Sequence, residues 1–212
     1  WWILRDPANM ALLGSPESLK TYANKSFVSY YSQDTHAQFM TYVWTNNAWI
    51  AIQVVAGGIT GFFPAFVLWG NAGALAQSAA IVIHFAGPGQ FFRFILPHGI
   101  PELTAIWIST AAGLRLFWAW IVPGKRTRTQ ALAEAGRSMI TVALGMVIML
   151  FFSGLIEGFV TPSDLPTWAK ITCGVVLTAL VWIYTFVVGR RAYRAGATGD
   201  LEEDAGYSTP VI

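Results

Sequence analysis

The residues best equipped for chemistry are few: His98, Glu102 and Glu157, with Asn46 and Asn47 as neutral hydrogen-bonding companions. All five stand beside or within apolar stretches, where an ionisable side chain is costly and so marks a candidate functional site. A histidine near two carboxylates can carry a proton or contribute to a metal site. His98 and Glu102 have i to i+4 spacing, but Pro101 lies between them. The run Pro97-His98-Gly99-Ile100-Pro101 therefore predicts a break in the helix, and the helical HExxH geometry of a metalloprotease is not expected. A structural role competes with a chemical one. With Pro101 at the first helical position, Glu102 falls in the first turn, where a carboxylate offsets the positive helix end by roughly 0.3 to 1 kcal/mol. Glu157 falls where a helix leaves the membrane. These residues make up neither a catalytic set nor a metal-ligand set, and no cofactor is expected. Nothing matches a phosphate loop, a dinucleotide fingerprint or a nucleophile elbow.

Two other ionisable residues carry less. His84 closes an apolar run and reads as a buried or interfacial side chain. Arg115 lies about 13 residues past Glu102, roughly 20 Å along a helix, so the two cannot pair within one span, and Arg115 is expected to reach for the cytoplasmic headgroups.

The elements that position such residues must tolerate lipid. Of 212 residues, 55% are hydrophobic and only 11% charged, and the mean hydropathy is +0.51, well outside the balance of an ordinary soluble domain. The expected fold is all-α, a polytopic transmembrane helical bundle. Apolar runs predict spans near 46–70, 100–122, 137–160 and 168–190, each long enough to cross the hydrocarbon layer. Residues 71–86 predict either a short span, which is preferred, or a re-entrant half-helix, stopped by Gly87-Pro88-Gly89. Pro64 predicts a kink in the first span. Residues 90–96, aromatic with a single Arg93, read as an interfacial helix before the proline break.

Basic residues set the orientation. Lys125, Arg126, Arg128 and Arg137 flank one loop, and Arg190, Arg191 and Arg194 follow the last apolar run, so both groups belong in the cytoplasm. The loop 161–170 then lies outside, as do His98 and residues 1–45. This extracytoplasmic region reads as polar and solvent-facing with some short helix, and it is expected to follow an upstream span. Residues 195–212 form a cytoplasmic tail after the membrane domain of 46–194. A net charge of +2, held in two short clusters, gives no nucleic-acid surface. Cys173 is the single cysteine, which excludes an intramolecular disulfide. Gly57 with Gly61 and Gly154 with Gly158 have GxxxG spacing, and Ser109 with Gly113 gives a third small-residue face. Such faces favour close helix packing, within the chain or in a homodimer.

Several separated motifs resemble one family. The stretch Ile95-Leu96-Pro97-His98-Gly99-Ile100-Pro101-Glu102-Leu103-Thr104 resembles the PHGxxEL signature of the stage II sporulation protein M family. Supporting stretches are Val43-Trp44-Thr45-Asn46-Asn47, Ala112-Gly113-Leu114-Arg115, Pro123-Gly124 followed by Arg126, and Glu157-Gly158-Phe159-Val160-Thr161-Pro162. The resemblance extends from Tyr30 to Gly199, and the tail from Gly189-Arg190-Arg191 onward looks like that of longer members from non-sporulating, high-GC bacteria. It implies a multi-pass protein of the bacterial cytoplasmic membrane. In spore formers the family member localises and scaffolds peptidoglycan-cleaving partners at the division septum and is not itself the hydrolase.

The expected function is accordingly a non-catalytic membrane assembly protein that organises envelope or wall-remodelling partners in contact with membrane lipid. Two alternatives remain. One is a transporter or channel component with Glu102, Glu157 and His98 lining a polar path, motivated by discontinuous helices at Pro64 and at Pro97 to Pro101. The other is an intramembrane metal-dependent enzyme using the same residues, short of a defined ligand set.

Overall fold

The computed structural model describes residues 2–31 and 35–197, and all regular structure among them is helical. Trp1 and the part of the expected tail at 198–212 lie outside the described residues. Four short helices come first: α1 (Trp2–Arg5), α2 (Pro7–Ala11), α3 (Pro16–Thr21) and, after a π turn at Tyr22–Ser26, α4 (Phe27–Ser29). Asp6 and Ser15 cap α2 and α3 by accepting from the Ala8 and Ser18 amides, and a proline follows each cap.

Five long helices follow. A capping box starts α5 (His36–Gly57), in which the Thr35 hydroxyl accepts from the Gln38 amide and the Gln38 side chain accepts from Thr35 in return. This start lies ten residues before the expected span at 46. The helix ends in a 3-10 turn (Gly58–Thr60) and a left-handed Gly61 at φ 76°. Residues 46–70 are therefore not one kinked span. Thr60 closes α5 by donating to the Gly57 carbonyl at 2.8 Å, and its hydroxyl accepts from the Phe63 amide at 3.1 Å. Pro64 then stands at the start of α6 (Phe63–Ala86), where a missing amide costs nothing. Residues 71–86, expected as a short span, are the second part of this 24-residue helix, about 36 Å long. Gly87, at φ 87°, stops it as expected.

The next helix corrects the largest expectation. In place of an interfacial helix and a proline break, α7 (Pro88–Ile121) runs for 34 residues through both Pro97 and Pro101. Proline interrupts a helix by removing an amide donor and crowding the carbonyl four residues back. The carbonyl of Pro97 would normally accept from residue 101, a proline without a donor, and it instead meets the bare Cα of Gly174. A Cβ built there would stand 2.0 Å from that oxygen. The adjacent His98 carbonyl accepts from the Ser153 hydroxyl at 3.1 Å. Helices α8 and α9 thus pack directly on the turn between the two prolines.

A second capping box, Thr127 with Gln130, starts α8 (Arg128–Leu155), which continues through a π turn at Ile156–Val160. Last come α9 (Thr167–Ile183), a π turn at Tyr184–Gly189 and α10 (Arg190–Arg194). The stretches Phe63–Ala86, Arg128–Val160 and Thr167–Arg194 are long and apolar enough to cross a membrane. Their large hydrophobic side chains, including Phe66, Trp69, Ile148, Trp168, Leu180 and Phe186, face outward, the arrangement lipid allows and water penalises.

The centre of the bundle is α7. Ala48 and Ala51 of α5 meet Ala105 and Ile106 of α7 and Met146, Met149 and Leu150 of α8. Closer to the basic loop, Val55, Ala112, Leu116, Ala135 and Met139 form a second cluster. Small residues permit this proximity: Gly113 lies against Gly58 and the Val54 carbonyl, with Ser109 fully buried one turn earlier. Gly154 and Gly158 lie against Trp44, Met40 and the His36 carbonyl of α5. Gly57 and Gly61 do not form the expected helical face, because the helix ends between them and a side chain on either would collide with Phe63 or Phe117. The two small-residue faces that do form are thus occupied by the chain's own helices.

Residues 2–31, expected to be solvent-facing, form a cap on the end of the bundle opposite the basic loop. Met10, Leu19, Ala23 and Phe27 pack against Ala80, Ile81 and Val82 of α6 and Phe91 of α7. Two polar bonds fasten the cap: the Tyr22 and Ser78 hydroxyls at 2.9 Å, and Gln90 donating to the Ala23 carbonyl at 2.8 Å.

Candidate functional site

Beneath the cap, three helices bring the expected polar residues together. His98 and Glu102 stand one turn apart on the same face of α7, because that helix continues through Pro101. Glu157 comes from the π turn ending α8, and Asn47 from α5. A π turn inserts one extra residue and changes which side chains face inward, and such turns gather at functional sites. One ligating atom from each of His98, Glu102 and Glu157 lies within 4.8 Å of the other two. His98 Nε2 is 3.7 Å from Glu157 Oε1, with both side chains 6% exposed. Asn47 Nδ2 donates to Glu102 Oε1 at 2.8 Å, fixing that carboxyl group.

These positions correct two expectations. Glu102 lies deep in a long helix and has no first-turn capping role. Glu157, three residues from the end of the apolar stretch Arg128–Val160, is buried against the other helices. His98 is not in an outer loop: it sits ten residues into α7, about 15 Å along the helix axis. Asn46 stands apart from the centre, exposed, with its amide 3.4 Å from Asn47 Oδ1.

Two buried polar atoms in the centre, His98 Nδ1 and Glu157 Oε2, have no hydrogen-bond partner. Buried polar atoms are nearly always paired, so each orphan requires an explanation. Two cavities border the centre. One, of about 150 Å³, is lined by Asn47, Asn71, His98 and Glu102 among others. The second, of about 460 Å³, lies between cap and bundle and is lined by Tyr22, Tyr30, Tyr31, Ser78, His98 and Glu157 among others. His98 borders both.

Tyr31, at 4% exposure, has its ring 6.0 Å from the imidazole and stacks on Phe94 at 5.0 Å. Burial, followed by the nearby Glu157 carboxylate, pushes its hydroxyl well above the ordinary phenol range, so it stays a neutral group. The pair Tyr30-Tyr31 was visible in the sequence as an aromatic cluster, without any sign of what it covers. Lys170 was not visible as a functional residue. It is fully buried and donates to the Thr161 and Ser163 carbonyls at 2.6 and 2.5 Å, satisfying oxygens that the end of α8 leaves without partners.

The basic residues gather at the opposite end. Lys125, Arg126 and Arg128 are exposed, Arg137 is half-buried, and Arg126 pairs with Glu134. Arg115 joins Arg126, Glu134 and Ser138 around a cavity of about 180 Å³, separate from the His98 centre.

A family model described as stage II sporulation protein M matches residues 1–162. The chain belongs to the stage II sporulation protein M family. The match begins upstream of the Tyr30 start of the sequence resemblance and ends in the loop after α8. It therefore contains the cap and the whole polar centre, while α9, with Lys170 and Gly174, lies beyond it. Neither the curated proteins nor the solved structures give a significant match. Family membership and the three long apolar helices make this a membrane protein.

Proposed function

We propose that this family member is a non-catalytic assembly protein of the bacterial cytoplasmic membrane that organises partners remodelling the envelope or the cell wall. The observation that carries the reading is the family match over 162 residues, which takes in the cap and α5 to α8. The basic loop at 125–137 and Arg190, Arg191 and Arg194 favour the cytoplasm for one end of the bundle. The cap then faces the wall side, where peptidoglycan-acting partners work. Lipid covers the outward side chains of α6, α8 and α9.

Capture from native membranes tests the reading. The full-length protein, cross-linked in living cells, extracted gently and analysed by mass spectrometry, is expected to bring down wall-acting enzymes. Recovery of only unrelated membrane proteins overturns the proposal.

A second reading, a transporter or channel component, is favoured by the position of His98 between two cavities, with Glu102 on one side and Glu157 on the other. Proton or cation flux into liposomes holding the purified protein is expected to fall in Glu102→Gln and Glu157→Gln. Flux equal in the parent and both variants removes this reading.

A further inference from the structure

We propose that His98, Glu102 and Glu157 bind one divalent first-row transition-metal ion, of the zinc type, within the membrane domain. This goes beyond the assembly reading and does not depend on it, since the site requires three side chains and no partner.

Four observations converge. First, the geometry is close to a ligand shell. Three ligating atoms lie within 4.8 Å of one another, and His98 Nε2 stands 3.7 Å from Glu157 Oε1. A tetrahedral ion with bonds of about 2.0 to 2.1 Å holds its ligands roughly 3.4 Å apart, so side-chain rotations alone close the site. Second, two of the three residues carry an orphaned atom. His98 and Glu157, each 4% exposed, keep Nδ1 and Oε2 without a hydrogen-bond partner, so the polar capacity of the centre is unfilled by the chain's own groups. Third, the charge is unbalanced. Among the described residues neither Glu102 nor Glu157 has a lysine or arginine in ion-pair range, and the buried Lys170 is held by two carbonyls. Two carboxylates in a low-dielectric interior call for compensating positive charge, and a dication supplies it in full.

Fourth, the donor set selects the ion. Calcium and magnesium prefer shells made of oxygen alone, whereas one imidazole with two carboxylates suits zinc, manganese or iron. Asn47, bonded to Glu102 Oε1 at 2.8 Å, orients a ligand in the manner of an outer-shell partner. Three protein ligands leave a fourth position for water, and the cavity under Tyr30 and Tyr31 reaches the centre.

The test uses the full chain in detergent, stripped with chelator and titrated with zinc, then with cobalt(II) as a spectroscopic substitute. One ion per chain is expected by elemental analysis, with a tetrahedral cobalt band. His98→Ala and Glu157→Gln should lose the ion, while Glu134→Gln, at the opposite end, should keep it. Asn47→Ala should weaken binding by about 10- to 100-fold. Absence of stoichiometric metal in the parent overturns the proposal and leaves a shared proton as the partner of the two carboxylates. Metal retained by both ligand variants also overturns it. If those variants do not leave the membrane as single species, the parent's cobalt spectrum decides: an octahedral, water-like spectrum refutes the site. Failure of partner capture leaves these outcomes untouched, so the two proposals fail separately.

Discussion

The two ends of the bundle each hold an acid beside a basic group, and they differ in almost everything else. At the capped end His98 and Glu157 stand 3.7 Å apart with side chains 6% exposed, under the Tyr30-Tyr31 roof. At the basic-loop end Arg126 and Glu134 pair with side chains 47% and 38% exposed. Water and salt screen the second pair, which is worth at most about 1 kcal/mol. Among the described residues the first has no lysine or arginine in ion-pair range, and its low exposure leaves little screening. This chain buries its polar centre at one end and exposes its basic residues at the other.

Four substitutions would break or sharpen that contrast. Glu157→Ala empties a buried position 3.7 Å from His98 and should cost about 3 kcal/mol, read as a lower thermal midpoint in detergent. An unchanged midpoint would mean the centre does not stabilise the bundle. Gly174→Ala should cost about 1 to 3 kcal/mol, because its Cβ would stand 2.0 Å from the Pro97 carbonyl and push α9 off α7. A normal midpoint there would show that α9 is free to shift. Asn47→Ala leaves Glu102 without its fixed donor and should cost about 1 to 2 kcal/mol by the same assay. The smallest effect belongs to Arg126→Ala, under about 1 kcal/mol and fading as salt is raised. A salt-independent loss larger than that of Asn47→Ala would abolish the distinction between the two ends.

Much of this architecture was legible in the residues. Long uncharged runs required helices in lipid, since only a hydrogen-bonded helix or a closed barrel satisfies its backbone there. The stop at Gly87 and the gathering of polar candidates toward one face followed from local chemistry and charge bias. The sequence also singled out the three ionisable residues that the fold brings together, because an acid or histidine among apolar neighbours is conspicuous by its solvation cost.

Local chemistry misled at the prolines. Pro97 and Pro101 forbid a regular helix when taken alone, and with it a shared helical face for His98 and Glu102. The turn between them packs against Ser153 and Gly174, which lie more than fifty residues away in the chain and become neighbours only when α8 and α9 pack on α7. The cap escaped notice for a similar reason: helices of three to six residues have weak local signals, and these are held by α6 and α7 rather than by their own propensity.

Composition, charge bias and apolar run length were enough to determine a helical membrane protein and to nominate His98, Glu102 and Glu157. Only tertiary packing decided that the three meet, because their proximity depends on a proline-bearing helix that runs unbroken, and on a π turn that carries Glu157 inward. Long-range contacts of that kind have no signature in the spacing of residues along one segment.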